Sequence, residues 1–226
     1  MQTYILSLGG SLIVPDQIDA NFLKRFREII LNHLNASRFI IICGGGKTAR
    51  RYQEAASAVM QLGPDDKDWI GIHSTRLNGQ LIKTIFKNMA YPKVIRNPTE
   101  KITLKDKERI VIAAGWKPGA STDYDAVLLA KNFKVKMLIN LTNVDYVYNK
   151  NPKKYADARP VKAIAWKAFR KIVGDKWDPG ANVPFDPVAS KLAEKLKLKV
   201  IIANGKNLQN LDEILHNRRF IGTTVE

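Results

Sequence analysis

Residues 39–60 read FIIICGGGKTARRYQEAASAVM, and the change of pattern at their middle decides the fold class. Phe39–Cys43 is a short, uninterrupted apolar run bounded by glycine, which predicts a strand buried on both faces. Gly44-Gly45-Gly46 ends it. A helix is expected from about Lys47 to Met60, and Gly63-Pro64 reads as a break. The same grammar recurs outward in both directions. Tyr4–Leu8 is a strand ending at Gly9-Gly10, and residues 19–35 set Phe22, Phe26, Ile29, Ile30 and Leu34 on one helical face. Downstream come a helix over 68–87, a weak strand over 93–95, and a strong strand over 109–114 that ends at Gly115. Helices are expected at 123–132, 166–172, 187–196 and 208–215. Strands are expected at 137–141, 199–203 and 219–225, and residues 174–187 form a turn-rich excursion. Strands alternating with helices predict a parallel or mixed sheet covered on both faces, in a single α/β domain over residues 1–226.

Composition narrows the function classes. The chain has 226 residues, enough for a sizeable core, with 45% hydrophobic and 26% charged residues. One cysteine, Cys43, excludes an intrachain disulfide framework and a cysteine-rich zinc site. No apolar run approaches the roughly 18 residues of a membrane span, and residues 1–10 carry no secretory pattern. A cytoplasmic protein is the expectation. The 37 Lys and Arg against 21 Asp and Glu give +16. These charges are dispersed, without an aromatic-interleaved basic stripe, so a solvated basic surface is expected rather than a nucleic-acid interface.

In open α/β sheets, ligands bind beyond the carboxyl ends of the strands. Three strands here end in glycine, each followed within a few residues by a helix. Glycine lets main-chain N–H groups approach a phosphate, and the helix N-terminus adds about half a positive charge. One such junction is a turn; three on neighbouring strands suggest an extended polyanion site. Gly46-Lys47-Thr48 is not a Walker A loop, because Ile41 stands where that pattern needs glycine, and a GxGxxG pattern is absent. Lys47, Arg50 and Arg51 oppose the dipole of their helix, a cost that a bound phosphate would reverse. They read either as phosphate ligands or as plain surface charges.

Asp68 reads as an N-cap or as an acceptor for a ribose hydroxyl. Capping explains one of Ser121, Thr122 and Asp123, not all three. Asp186 before Pro187 is a cap, or one of two carboxylates that orient cations during phosphoryl transfer, Asp123 being the other. His33, His73 and His216 are isolated in sequence, with no cysteine or second histidine at ligand spacing, so none is given a catalytic role. The GxSxG elbow of serine hydrolases is absent.

Taken in order, SLGGSLIVP at 7–15, IICGGGKTARRY at 41–52, DWIGI at 68–72, AAGWKPGASTDYDA at 113–126, LTNVDYVYNKNPKK at 141–154, FDPVASKLA at 185–193 and GTTVE at 222–226 span nearly the whole chain. Together these segments resemble the amino acid kinase superfamily and, within it, the archaeal type of uridylate (UMP) kinase. The resemblance implies a three-layer α/β/α sandwich on a central mixed, mostly parallel sheet. It implies Mg²⁺-dependent transfer of the ATP γ-phosphoryl group to UMP in pyrimidine nucleotide synthesis, by a homohexamer built from dimers.

By position, it implies that Gly9, Gly10 and Ser11 hold ATP phosphates, and that Gly46 and Arg50 act near the transferred group. Thr142, Asn143, Tyr148 and Asn151 would line the nucleoside end of ATP. Gly45, Asp68 and residues Trp116, Lys117, Pro118, Gly119, Ala120, Ser121 and Thr122 would hold UMP. Asp123 and Asp186 would be the essential carboxylates, and no metal ligand is assigned. The chain departs from the bacterial pattern at Leu6-Ser7-Leu8, where a lysine is usual, and Lys47 is the candidate replacement. Tyr146 stands for a usual glycine, Asn151 for an aspartate and Ser121 for a threonine. The alternatives from the residues are another small-molecule kinase of this superfamily (isopentenyl phosphate, carbamate or acetylglutamate), or a non-catalytic nucleotide- or nucleic-acid-binding protein.

Overall fold

The computed structural model describes residues 1–150, 154–176 and 183–226. In chain order the elements are β1 (Gln2–Leu8), α1 (Gly10–Ile13), α2 (Ala20–His33), β2 (Ser37–Cys43), α3 (Gly46–Val59), α4 (Pro64–Ile85), β3 (Ile110–Ala113), α5 (Thr122–Asn132) and β4 (Met137–Thr142). They continue with β5 (Val147–Tyr148), β6 (Pro160–Val161), β7 (Ala163–Ile164), α6 (Trp166–Val173), α7 (Pro187–Lys195), β8 (Lys199–Asn204), α8 (Leu208–Leu215) and β9 (Thr223–Val225). Seven strands form one sheet in the order β3-β2-β1-β4-β8-β9-β7, and β5 and β6 form a separate antiparallel pair. The first five strands in that order are mutually parallel, while β9 runs antiparallel to β8. The sheet is therefore mixed and mostly parallel, as expected.

Alternation along the strands builds two cores. Tyr4, Leu6 and Leu8 of β1 and Phe39, Ile41 and Cys43 of β2 face a layer of α1, α2, α4 and α8. Ile5, Ile40 and Ile42 face the opposite layer of α5, α6 and α7. Each such large side chain contributes about 1.5–3 kcal/mol by leaving water. Helix α2 reads its start from Asp19, whose carboxylate accepts from Phe22 N, and buries Phe22, Leu23, Phe26 and Ile30. Helix α3 buries only Ala49 and packs on α4 outside the main layer.

Three boundaries depart from expectation. Gly63-Pro64 does separate two helices, but α4 begins at Pro64 rather than at Asp68, because proline suits the first helical position and Asp66 accepts from Gly63 N. Asp68 is thus in the second turn and caps nothing. The segment 93–95 forms only an isolated bridge from Ile95 to Ala113, since Pro92 and a turn leave it no ladder to extend. The last strand shrinks to Thr223–Val225. The four-residue α1 and the two-residue strands β5, β6 and β7 carry too few residues for a periodic signal.

Chain order along β3-β2-β1-β4 reverses direction at β1: β2 and β3 lie to one side, β4 and β8 to the other. Ligands in such sheets sit at this switch point. Register aligns the ends, with Leu8 opposite Cys43 and Leu141, and Ile42 opposite Ala113.

Candidate active site

The glycine junctions of β1 and β2 meet in main-chain contact. A Cβ on Gly10 would stand 2.0 Å from Gly46 N, and one on Gly44 would stand 2.4 Å from Gly10 N. No side chain fits between the two turns. Gly46 also adopts φ +67°, which a side chain would strain. Asn78 of α4 locks the second turn by donating from Nδ2 to Gly44 O (2.8 Å) and Gly45 O (3.1 Å). Gly9 N donates to Leu141 O of β4, so the third neighbouring strand end is joined to the same edge. The starts of α1 and α3 lie along this edge, where Leu12 N donates to Gly9 O and Lys47 N to Val14 O.

The loop after β3 is held along its length by α4 and α5. Gly115 N donates to Thr75 Oγ1 and Trp116 N to Asp125 Oδ2. Gly119 N donates to Asp68 Oδ2 at 2.8 Å. Arg76 donates to the carbonyls of Gly115 and Trp116. Lys117 lies over the Trp116 ring. Pro118 and Ala120 complete the loop, which turns at Gly119 with φ +76°. One Asp68 oxygen thus positions the loop, and the other is unbonded among the described residues.

Ser121 caps α5 by accepting from Tyr124 N, with Thr122 next in the helix. Asp123 does not cap. Its Oδ2 accepts from Asp186 N (3.1 Å) and its Oδ1 from Ser7 Oγ (3.3 Å). Asp186 is 4% exposed and does cap α7, accepting from Ala189 N at 2.6 Å. Burial, chiefly, raises the pKa of both carboxyls, that of Asp123 to about 7, and the Asp186 charge pushes Asp123 further up. Among the described residues neither forms a salt bridge. Ser7 sits opposite Asn140 on adjacent strands, and Asn140 donates to Pro184 O just before Asp186. Two apolar strands each spend one inward position on a polar side chain to support the acids.

Lys47 and Arg50 stand at the start of α3 beside the glycine turns, without salt-bridge partners among the described residues, whereas Arg51 pairs with Asp16. Ser11 lies in α1. Thr142 ends β4, next to Gly9 across the β1–β4 pairing, and Asn143 follows it. Tyr148 lies in β5, which Val147 N ties to Thr223 Oγ1 beside the end of β8. Asn151 lies outside the described residues. The structure therefore brings Gly9–Ser11, Gly44–Arg50, residues 115–123, Asp186 and Thr142 to one edge of the sheet. An open groove elsewhere, lined by Lys83, Lys87, Tyr91, Lys107 and Glu108, contains none of them.

A match to the amino acid kinase family covers residues 2–204. The chain belongs to the amino acid kinase family. It is 36% identical to the uridylate kinase of Thermoplasma volcanium, over all of this chain and 98% of that one. It is 31% identical to the uridylate kinase of Pyrococcus abyssi, over 98% of each. The crystal structure of uridylate kinase from Archaeoglobus fulgidus superposes with a TM-score of 0.83 at 30% identity, each chain fully covered. UMP kinase from Ureaplasma parvum, at 18% identity and a TM-score of 0.79, shares the fold of this family member.

Thr75, Arg76, Asn78, Asp125, Ser7 and Asn140 were not foreseen. Their signal was polarity out of place: Thr75 and Asn78 are buried on the core-facing side of α4, and Ser7 and Asn140 interrupt apolar strands.

Proposed function

We propose that this amino acid kinase is a uridylate kinase that transfers the γ-phosphoryl group of ATP to the phosphate of UMP, giving UDP and ADP. The main-chain contact between the Gly10 and Gly44–Gly46 turns carries the reading, because it sets two glycine-led helix starts, places suited to phosphate, side by side. In this reading Gly9, Gly10 and Ser11 hold the ATP phosphates, and Thr142, Asn143 and Tyr148 face its nucleoside. Gly45, the free oxygen of Asp68 and residues 116–122 hold UMP. Lys47, Arg50 and the α3 N-terminus face the developing charge, and in-line transfer then follows from alignment.

Asp123 and Asp186 form a carboxylate pair with no cationic partner among the described residues, which fits a metal brought in with the nucleotide. Mg²⁺ bound there would offset the charge between the two phosphates. Asp123, the more exposed acid, would face it, while Asp186 fixes Asp123 through its N–H.

The same reading takes residues 1–226 as one catalytic domain, working in the cytoplasm as a homo-oligomer. No helix of the described residues is long and apolar enough to cross a membrane. Tyr52 and Val59 of α3, Met60 just after it, and Trp69 and Leu77 of α4 are exposed apolar side chains, which supports self-association. The test is ADP release with ATP and UMP, CMP, dUMP or isopentenyl phosphate. UMP is expected to be the best acceptor by at least about tenfold, as one lost polar contact predicts. Preference for isopentenyl phosphate, or turnover without Mg²⁺ equal to that with it, contradicts the reading.

A further inference from the structure

His33 and His216, isolated in sequence, meet in space. Helix α2 runs back from the carboxyl edge and ends at His33; α8 does the same and is C-capped by His216. Apolar packing of Phe26 and Ile30 with Leu211, Ile214 and Leu215 in one core sets the two ends together at the amino edge, opposite the nucleotide site. The Tyr4 hydroxyl donates to Leu215 O and fixes the end of α8 on β1. Asp212 and His216, four residues apart, share one face of α8.

The donor atoms converge on Asp212. His33 Nε2 lies 2.8 Å from its Oδ1, and His216 Nδ1 lies 3.4 Å from its Oδ2. One ligand atom from each of the three residues lies within 4.8 Å of the others. The two imidazole rings stand 4.6 Å apart at 63°. Four ligands at about 2.0 Å around a tetrahedral ion are spaced about 3.3 Å apart, which these separations bracket. His33 is 11% exposed at its side chain, whereas His216 is 44% exposed, so the cluster is held from below and open above.

We propose that His33, Asp212 and His216 form a binding site for a divalent transition metal of the Zn²⁺ type, which clips the end of α2 to the end of α8. Two neutral imidazoles and one carboxylate select Zn²⁺, Co²⁺ or Ni²⁺ over Mg²⁺ and Ca²⁺, which prefer all-oxygen shells. Water takes the fourth position. His216 Nδ1 lies 3.0 Å from the Asp212 carbonyl oxygen, a local contact that metal binding would replace. The clip is structural, and it is separate from the Mg²⁺ that accompanies ATP.

The test uses the whole chain, stripped with a chelator and titrated with Co²⁺ and then Zn²⁺. One equivalent of Co²⁺ is expected to give a visible d–d absorption band that Zn²⁺ removes and excess Mg²⁺ does not. Zn²⁺ a hundredfold above its Kd should raise Tm by about 5–10 °C. His216→Ala, at an exposed position, should lose affinity at least about 100-fold while keeping its UMP-dependent ADP release. His33→Ala should lose the band as well. Absence of the band and of the Tm shift, or a band unchanged in His216→Ala, overturns the proposal whatever the kinase assay shows.

Discussion

The loop over residues 115–121 and the described residues of the stretch 143–161 (143–150 and 154–161) both lie beyond strand ends, and they are held differently. Five side-chain bonds, from Asp68, Thr75, Arg76 and Asp125, grip the main chain of the first. The second, within its described residues, is a two-residue ribbon pinned by Asn204 to Asp145, Thr223 to Val147 and Asn149 to Arg159. The first is preorganised, so little ordering entropy remains to oppose a ligand there. Among the described residues of the second, fewer side chains from elsewhere in the fold grip the main chain, so more of that cost is expected on binding. Discrimination is therefore expected at the acceptor, with a more permissive donor seat.

The largest effect tests what lies between the two regions. Asp123→Asn should lower kcat about 100–1000-fold, the scale of losing one preorganised charge contact, with little change in Tm. Asp186→Asn should cost less, because asparagine still caps α7. Equal losses would place both carboxylates on the reacting groups. Next, Arg76→Ala releases two carbonyls of the gripped loop. It should raise KM for UMP about 10–100-fold, some 1.4–2.8 kcal/mol, and leave KM for ATP nearly unchanged. A matching rise for ATP would erase the contrast between the regions.

Asp125→Asn probes the grip through pH. Asp125 is fully buried, with Oδ1 unpartnered, and burial raises its pKa from 3.8 to about 7. Between those values the folded chain binds a proton that the unfolded chain has released, so its contribution to stability falls as pH rises. Thermal scans should show the Tm of the parent, relative to the asparagine variant, declining from about pH 4 to pH 7 and then levelling. A flat difference would mean that Asp125 is ionised throughout. The smallest effect belongs to the ribbon. Tyr148→Ala should raise KM for ATP only about threefold to tenfold and leave UMP untouched.

How much of this was legible follows from range. The strands and their glycine ends were readable because each is a local pattern, and Phe39–Cys43 before three glycines leaves few other structures open. The misplaced start of α4 came from taking Pro64 as a stop when it stood at the first helical position. Thr75, Arg76 and Asn78 could not be read as loop-holders, since their partners are main-chain atoms about 33–40 residues away. His33 and His216 were harder still: only the packing of α2 on α8 makes them neighbours.

The abutting glycine turns have one more consequence. Because main-chain atoms meet directly between Gly10 and Gly44–Gly46, the two turns would act as a fixed gauge for the spacing of the proposed nucleotide seats, and a side chain introduced at Gly10 or Gly44 would have to force them apart. Descendants of this chain could exchange one acceptor for another by rebuilding the rim. To change how far apart donor and acceptor sit, they would have to rebuild both turns together.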